Sequence, residues 1–174
     1  MNILNHEFKA RITELKPYED LLKGKNPHFQ GVDHQKDTYF NVPTGRLKLR
    51  EGNIENALIQ YDREDIAGSK LSKIILYKHK PDPALKDILT MQLGIKVIVN
   101  KVRKIYFIDN VKFHFDTIDG LGYFMEVEAI DTEGIFSTTE LQKQCDAYFD
   151  FFGLSANDLV QSSYSDLLMA QGLD

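Results

Sequence analysis

The segment Gly122–Asp131, GYFMEVEAID, holds two carboxylates two residues apart in an otherwise apolar run. The alternation predicts a strand, in which successive side chains point to opposite faces of a sheet. Glu126 and Glu128 then share one face, and the apolar residues around them share the other. Two interpretations are open: either the acidic face lies in water, or the two carboxylates share a cation.

The composition is that of an ordinary globular protein. The chain has 174 residues, of which 43% are hydrophobic and 27% are charged, and this length predicts a single domain over 1–174. The net charge of −5 argues against a nucleic-acid partner, because general nucleic-acid binding needs a basic surface. Cys145 is the only cysteine, which excludes an internal disulfide and a thiolate metal cluster.

The hydrophobic runs are too short for a membrane-spanning helix, which needs about 18 or more apolar residues. Residues 1–16 carry charges where a signal peptide has its apolar core. We therefore expect no membrane partner and a cytoplasmic location.

The pattern along the chain predicts about eight strands and few helices. A hairpin is expected at 37–51, because Pro43-Thr44-Gly45 is a turn-forming trio between two alternating runs. Further strands are predicted at 2–12, 56–64, 72–80, 95–109, 111–119 and 122–131, with a loop at Gly68-Ser69, and helices at 14–23, 81–94, 138–152 and 156–170. This arrangement indicates an α+β fold built on an antiparallel sheet.

Several predicted strands carry charge on one face. The shared faces are Glu7, Lys9 and Arg11; Arg46, Lys48 and Arg50; Lys101 and Arg103; Lys112, His114 and Asp116; and Glu126 and Glu128. A solvated sheet face would also alternate, but such faces usually mix Ser, Thr, Asn and Gln with their charges. If the sheet closes into a barrel, these faces would line its interior, where unpaired charge is costly. A polyphosphate would neutralise the basic residues, and a divalent metal would neutralise the glutamates.

Five segments in this order resemble the CYTH superfamily, the triphosphate tunnel metalloenzymes. They are NHEFKAR (5–11), DTYFNVPTGRLKLRE (37–51), KVRKIYF (101–107), HFDTIDGLGYFMEVE (114–128) and SYSDLL (163–168). The resemblance covers nearly the whole chain, as a single CYTH domain, and is greatest to the class IV adenylyl cyclase and thiamine triphosphatase-like branch. It implies an eight-stranded, antiparallel, closed β-barrel with flanking helices.

The resemblance also implies a ligand set. Glu7, Glu126 and Glu128 would bind Mg²⁺ or Mn²⁺, and the phosphates would be held by Lys9, Lys48, Arg50, Lys101 and Arg103, with Arg63 and Lys70 near further basic positions of the family. Asp116, Lys101 and Arg103 are the expected catalytic residues. The expected partner is a small-molecule triphosphate: ATP, thiamine triphosphate or inorganic triphosphate. A homodimer is left open.

One position departs from the family signature. Asn5 stands where the fuller signature has its first glutamate. An amide oxygen can coordinate a metal but neutralises less charge, so we hypothesise a weaker metal site or a site for a single metal.

Three functions are compatible with these residues. A triphosphatase would use water as the nucleophile, an adenylyl cyclase would use the 3′-hydroxyl of ATP, and a non-catalytic protein would only bind a nucleotide or polyphosphate. The chain contains no Walker A, H-E-x-x-H or G-x-S-x-G sequence. We interpret His114 as a hydrogen-bonded structural histidine, with a general-base role as the alternative.

Overall fold

The computed structural model describes residues 2–63 and 70–172. The elements in chain order are β1 (Asn2–Ile12), α1 (Lys16–Lys23), β2 (His28–Phe40), β3 (Arg46–Glu51), β4 (Ala57–Arg63), β5 (Lys70–Lys78), α2 (Pro83–Leu93), β6 (Ile95–Ile108), β7 (Val111–Ile118), β8 (Gly122–Asp131), α3 (Thr138–Phe151), a 3₁₀ turn (Ala156–Asp158) and α4 (Tyr164–Ala170). Only the backbone is described for Asn2, Arg63, Lys70, Leu71 and Lys73.

The eight strands form a closed barrel in the order β1-β5-β4-β3-β2-β6-β7-β8, in which every neighbouring pair is antiparallel. The predicted α+β class and the eight-stranded closed barrel are therefore confirmed. In the described part of the chain, closure pairs every strand on both sides, so the barrel has no free edge strand. No helix in the described part of the chain is long and apolar enough to cross a bilayer.

The apolar core divides into two parts. The larger part lies outside the barrel, where α1 and α3 cover β1, β6, β7 and β8. It contains the fully buried residues Phe113, Phe115, Met125, Val127 and Leu141. Burying a side chain of this size contributes about 1.5–3 kcal/mol relative to leaving it in water. This outer core is the main apolar contribution to the stability of the barrel.

The smaller part of the core lies inside the barrel at one end. Here α4 packs Tyr164 and Leu168 against Phe124, Ile118 and Val99. The rings of Phe124 and Tyr164 meet edge to face with their centroids 5.0 Å apart. The helix therefore fills one end of the barrel and leaves the charged section next to it.

Most predicted elements are present with shifted ends, but the last helix was predicted wrongly. Ser155 and Asp158 do form a cap, yet it supports only one 3₁₀ turn. The chain then becomes extended at Leu159, because Leu159 bridges to Ala10 and Val160 N–H donates to the Lys9 carbonyl oxygen at 2.9 Å. The final helix begins only after Ser163, whose hydroxyl accepts from Asp166 N–H.

The first part of β2 was also missed, since the prediction began the strand at residue 37. Its inward positions Asp33, Gln35 and Asp37 are polar and nearly fully buried. A run with polar residues at the buried positions lacks the apolar alternation by which a strand is recognised. The predicted loop at Gly68-Ser69 lies outside the described residues.

Candidate functional site: an ionised cavity inside the barrel

A cavity of about 560 Å³ occupies the barrel interior. Eight of the predicted site residues line it: Glu7, Lys9, Lys48, Arg50, Lys101, Arg103, Glu126 and Glu128. Closure of the barrel brings them together from β1, β3, β6 and β8, because each is on the inward face of its strand. These strand faces therefore point into the barrel, although Arg11, near the end of β1, is exposed and does not line the cavity.

Asp37 on β2 forms the centre of one group of charges. Its carboxylate accepts hydrogen bonds from Lys48 Nζ at 3.0 Å and from Lys101 Nζ at 2.8 Å. Arg50 donates one hydrogen bond to each of the two carboxylate oxygens, both at 2.9 Å. These cations hold the pKa of Asp37 well below its usual range, against the opposing effect of burial. Three of the predicted phosphate-binding residues thus converge on one buried carboxylate.

Arg103 on β6 forms the centre of a second group. It donates to both oxygens of Asp116, at 2.7 and 2.6 Å, and to Glu126 at 2.8 Å. Asp116 is fully buried and also accepts from the Tyr164 hydroxyl at 2.8 Å. Both oxygens of Asp116 are therefore engaged, and the geometry favours a role in orienting Arg103.

Glu126 and Glu128 are on β8, which lies between β1 and β7. In the strand register Glu7 is opposite Glu128, and Lys9 is opposite Glu126. Lys9 Nζ lies 3.3 Å from a Glu126 oxygen and 4.1 Å from the Tyr164 ring centroid. Glu126 is thus held by Lys9 and Arg103, whereas Glu128 lies next to another carboxylate.

Burial and like charge act on Glu128. Burial first, and then the nearby Glu7 carboxylate, raise the pKa of Glu128 to about 7. A bound cation would lower this raised pKa again, since a cation favours the charged form of the carboxylate.

His114 on β7 adds a nitrogen to this group. Its Nδ1 lies 3.2 Å from Glu126 and 3.5 Å from Glu128, and ligand atoms of the three residues all lie within 4.8 Å of one another. Burial, reinforced by Arg103 and Lys112, lowers the pKa of His114 to about 3, so the ring is neutral. The hydrogen bond to Glu126 agrees with the interpretation of His114 as a structural histidine.

The donor set fits a divalent cation. Glu7, Glu126 and Glu128 supply carboxylate oxygens from two adjacent strands, which are the hard ligands that Mg²⁺ and Mn²⁺ prefer. The Asn5 amide oxygen is buried without a hydrogen-bond partner, while its amide nitrogen donates to Glu7 at 3.5 Å. This buried oxygen beside Glu7 could serve as a further ligand for a cation.

A short loop supplies a charge that the sequence did not reveal. Asp33 accepts from the backbone N–H groups of Ile54 and Glu55, both at 2.9 Å, and so fixes the loop after β3. A side chain on Gly52 would lie 2.6 Å from an Asp33 oxygen, so this loop needs glycine there. The loop places Glu55 against Arg50 at 3.0 Å and against Lys112.

The predicted residues thus divide into three sets. Eight of them line the cavity, and Asp116 supports one of these, Arg103. The side chains of Arg63 and Lys70 lie outside the described residues, so their predicted phosphate contacts stay predictions.

Sequence reasoning missed Asp37, Glu55 and Tyr164. Asp37 lies in the predicted strand, on the same face as Tyr39, so the alternation of that strand was a signal that could have placed it inside the barrel. Glu55 lies in a loop, where no periodic pattern indicates the direction of a side chain.

The fold and cavity define a class: a closed antiparallel barrel with an ionised interior. The chain belongs to the CYTH domain family, whose profile matches residues 4–144. A Methanocaldococcus jannaschii protein named as a proposed adenylate cyclase is 24% identical, and the match covers 92% of this chain and 96% of the relative.

Solved structures share the fold. A Vibrio parahaemolyticus protein described as a proposed adenylate cyclase superposes with a TM-score of 0.77 at 19% identity, covering 95% of this chain and 98% of the other. A Hippeastrum protein, described as a proposed adenylyl cyclase with a dominant triphosphatase activity, superposes with a TM-score of 0.59 at 12% identity. That superposition covers 99% of this chain and 96% of the other.

Proposed function

We propose that this protein is a metal-dependent enzyme that cleaves a phosphoanhydride bond of a triphosphate held in the barrel cavity. One observation carries the proposal: among the described residues, seven Lys and Arg residues and four glutamates line one cavity. A triphosphate is a chain of negative charge, and such a ligand matches a concave surface with several fixed cations. The named relatives support the same class of reaction.

The basic residues would act on the phosphates. Lys48, Arg50 and Lys101 converge on Asp37, so their charged ends lie close together. A bound phosphate oxygen would share these donors with Asp37. In phosphoryl transfer, catalysis comes mainly from positioning and from stabilising charge on the transferring oxygens.

Glu7, Glu126 and Glu128 would hold Mg²⁺ or Mn²⁺. A divalent cation, when bound, neutralises phosphate oxygens and polarises the bond to phosphorus. Lys9 and Arg103 contact Glu126 and would keep its carboxylate oriented toward the cavity. Tyr164 would keep Asp116, and through it Arg103, in place.

Two reactions use this arrangement. In hydrolysis, the oxygen of water attacks the terminal phosphorus, the bridging P–O bond breaks, and orthophosphate and a diphosphate leave. In cyclisation, the 3′-oxygen of ATP attacks the α-phosphorus, pyrophosphate leaves, and the hydroxyl proton passes to solvent. The described charges serve either reaction, and a non-catalytic binder is the third outcome to test.

The first experiment is product analysis with ATP and, separately, inorganic triphosphate, each with Mg²⁺ and with Mn²⁺. Cyclic AMP with pyrophosphate identifies a cyclase, and orthophosphate identifies a triphosphatase. Tight binding of a triphosphate without any product identifies a binding protein and overturns the enzymatic proposal.

The metal ligands are tested by Glu126→Gln and Glu128→Gln, which remove charge but keep shape. We expect turnover to fall by more than about 100-fold, since losing even an outer partner of a metal ligand costs up to that much. The matched control is Glu14→Gln, which changes an exposed glutamate outside the cavity. Loss of folding in the cavity variants, measured by circular dichroism, would mean that the pair is structural.

A further inference from the structure

Glu55 brings a negative charge into the cavity from the loop at 52–56, between β3 and β4. Its carboxylate accepts hydrogen bonds from Arg50 Nη1 at 3.0 Å, from Gln35 Nε2 at 3.1 Å and from Lys112 Nζ. The Glu55 side chain is 21% exposed and lines the cavity. A ligand in the cavity can therefore reach this carboxylate.

The backbone of this loop is fixed independently of the Glu55 side chain. Asp33 accepts from the backbone N–H of Glu55 at 2.9 Å. The Asn53 side chain donates to the Val32 carbonyl oxygen at 3.0 Å and accepts from the His34 N–H at 2.6 Å. The Glu55 carboxylate can therefore leave its partners by rotation of the side chain, while the loop stays in place.

Arg50 is shared between a buried carboxylate and a reachable one. Its Nε and Nη2 donate to Asp37, whereas its Nη1 donates to Glu55. Asp37 is fully buried, while Glu55 lines the cavity. Arg50 can therefore exchange Glu55 for a ligand oxygen at Nη1 while Asp37 keeps the guanidinium in position.

Lys112, the other cation that contacts Glu55, lies beside the candidate metal ligands. On the barrel wall it is directly opposite Glu128, and both side chains line the cavity. Residues opposite each other on one face of an antiparallel pair have their Cβ atoms about 4.5–5.5 Å apart. The cations held by Glu55 are thus next to the place proposed for the divalent cation.

A phosphate oxygen and a carboxylate oxygen compete for the same donors. Arginine and lysine form charge-assisted hydrogen bonds with either group. A phosphate that binds both Arg50 and Lys112 has to displace Glu55, so the free energy of the contacts of Glu55 is subtracted from the affinity for the ligand. When the phosphate leaves, Glu55 pairs with the two cations again, and no unpaired charge is left buried.

We propose that Arg50 and Lys112 form a phosphate-binding pair whose resident anion is Glu55, and that a ligand phosphate binds there by displacing the Glu55 carboxylate. This inference rests on the proposed function and adds two residues to it: Lys112 binds phosphate, and Glu55 competes with it. Glu55 stabilises the protein when the cavity holds no phosphate, and it favours release of a phosphate product.

Glu55→Gln tests the proposal, because it removes the charge and nearly keeps the size. Binding of inorganic triphosphate and of ATP is measured by isothermal titration calorimetry, first without metal, so that no metal-dependent turnover adds heat, and then with Mg²⁺. We expect the variant to bind at least about tenfold more tightly, the scale of one hydrogen bond to a charged group. Its melting temperature without ligand should be lower, because Arg50 and Lys112 lose an anion.

Glu51→Gln is the matched control. Glu51 follows Arg50 on β3 and therefore points away from the cavity, where its carboxylate lies 2.8 Å from Lys86 Nζ. Loss of this half-exposed ion pair should change triphosphate affinity by less than about twofold. If Glu55→Gln does not fold, Glu55→Asp keeps the charge but shortens the side chain by one methylene, and it should give a smaller gain in affinity.

Lys112→Gln identifies the donor that changes partner. It should weaken triphosphate binding more in the Glu55→Gln protein than in the unmodified protein, because the contact of Lys112 with phosphate is no longer offset by the loss of Glu55. Equal weakening in both proteins would show that Lys112 does not exchange Glu55 for the ligand.

The outcomes separate the two proposals. If Glu55→Gln leaves triphosphate affinity unchanged, the ligand does not displace Glu55, and the inference is overturned while the proposed function stands. If the variant binds more weakly, Glu55 orients the two cations instead of competing for them, which also overturns the inference. If neither inorganic triphosphate nor ATP binds to the unmodified protein or to Glu55→Gln, the proposed function itself fails.

Discussion

The two faces of β8 carry opposite chemistry. On the inner face, Glu126 and Glu128 line a cavity, where Lys9 and Arg103 contact Glu126 and a third carboxylate, Glu7, lies near Glu128. On the outer face, Met125, Val127 and Ala129 are fully buried beneath α3 and its neighbours. The difference shows that this barrel is stabilised mainly from outside, which leaves part of its interior available for charge.

The inner charges contribute little net stability by themselves. Taking ions out of water is costly, and the attraction between buried ions often does no more than offset that cost. The outer core therefore compensates for an interior arranged for a ligand. If this is correct, changes to the outer face should alter stability without altering ligand affinity, whereas changes to the inner face should alter ligand binding.

The largest expected effect on stability is at Phe113, which is fully buried in the outer core. Its ring meets the rings of Tyr148 and Phe152 of the covering helix region, with centroids 4.7 and 6.3 Å away. Phe113→Ala should lower the free energy of unfolding by about 3–5 kcal/mol, measured in urea. Triphosphate affinity of the folded fraction should not change. A small loss of stability would contradict the role of the outer core.

A comparable loss is expected at one inner position. Asp37→Asn removes the carboxylate shared by Lys48, Arg50 and Lys101 and leaves buried cations together, at a cost of about 3–5 kcal/mol. Inorganic triphosphate should restore more thermal stability to this variant than to the unmodified protein, because it replaces the missing anion. The control is Asp62→Asn at an exposed site on β4. Equal stabilisation of all three proteins would remove the idea that phosphate competes with Asp37.

A smaller effect concerns pH. Burial, which the Asp37 carboxylate only partly opposes, lowers the pKa of Lys101 to about 7. In the free protein Lys101 is therefore charged below pH 7 and loses its charge above it, whereas a bound phosphate favours the charged form. Triphosphate binding should take up a proton above pH 7, and affinity should fall by up to about tenfold per pH unit.

Calorimetry in buffers of different ionisation enthalpy measures this proton uptake. Lys101→Met is the control, because it cannot take up the proton, and the titration of the triphosphate itself is the same in both proteins. Identical proton uptake by the two proteins would show that Lys101 keeps its charge throughout.

The smallest expected effect is at Asn5, which is 1% exposed beside Glu7. Asn5→Glu adds a carboxylate to the candidate metal site and should raise Mn²⁺ affinity severalfold, measured by calorimetry. Without metal the variant should be less stable, because a further anion is buried near Glu7 and Glu128. An unchanged Mn²⁺ affinity would mean that Asn5 does not weaken the site.

Local patterns in the sequence were sufficient for much of this architecture. Alternation in the β8 segment predicted the strand and the shared face of Glu126 and Glu128, because side-chain direction in a strand has a fixed period of two. Family motifs in the correct order then predicted the closed barrel, and the structure confirms it. The same motifs named eight residues that do line the cavity.

Tertiary structure alone decided the rest. Asp37 gathers three cations, Glu55 enters from a loop, and Leu159 leaves the helical path to pair with β1. Each of these contacts depends on residues far away in the chain, so no local sequence pattern predicts it. Barrel closure likewise places Ile130 of β8, Ile3 of β1 and Ile74 of β5 on neighbouring strands. Sequence determined which way each side chain points, and packing determined what it meets.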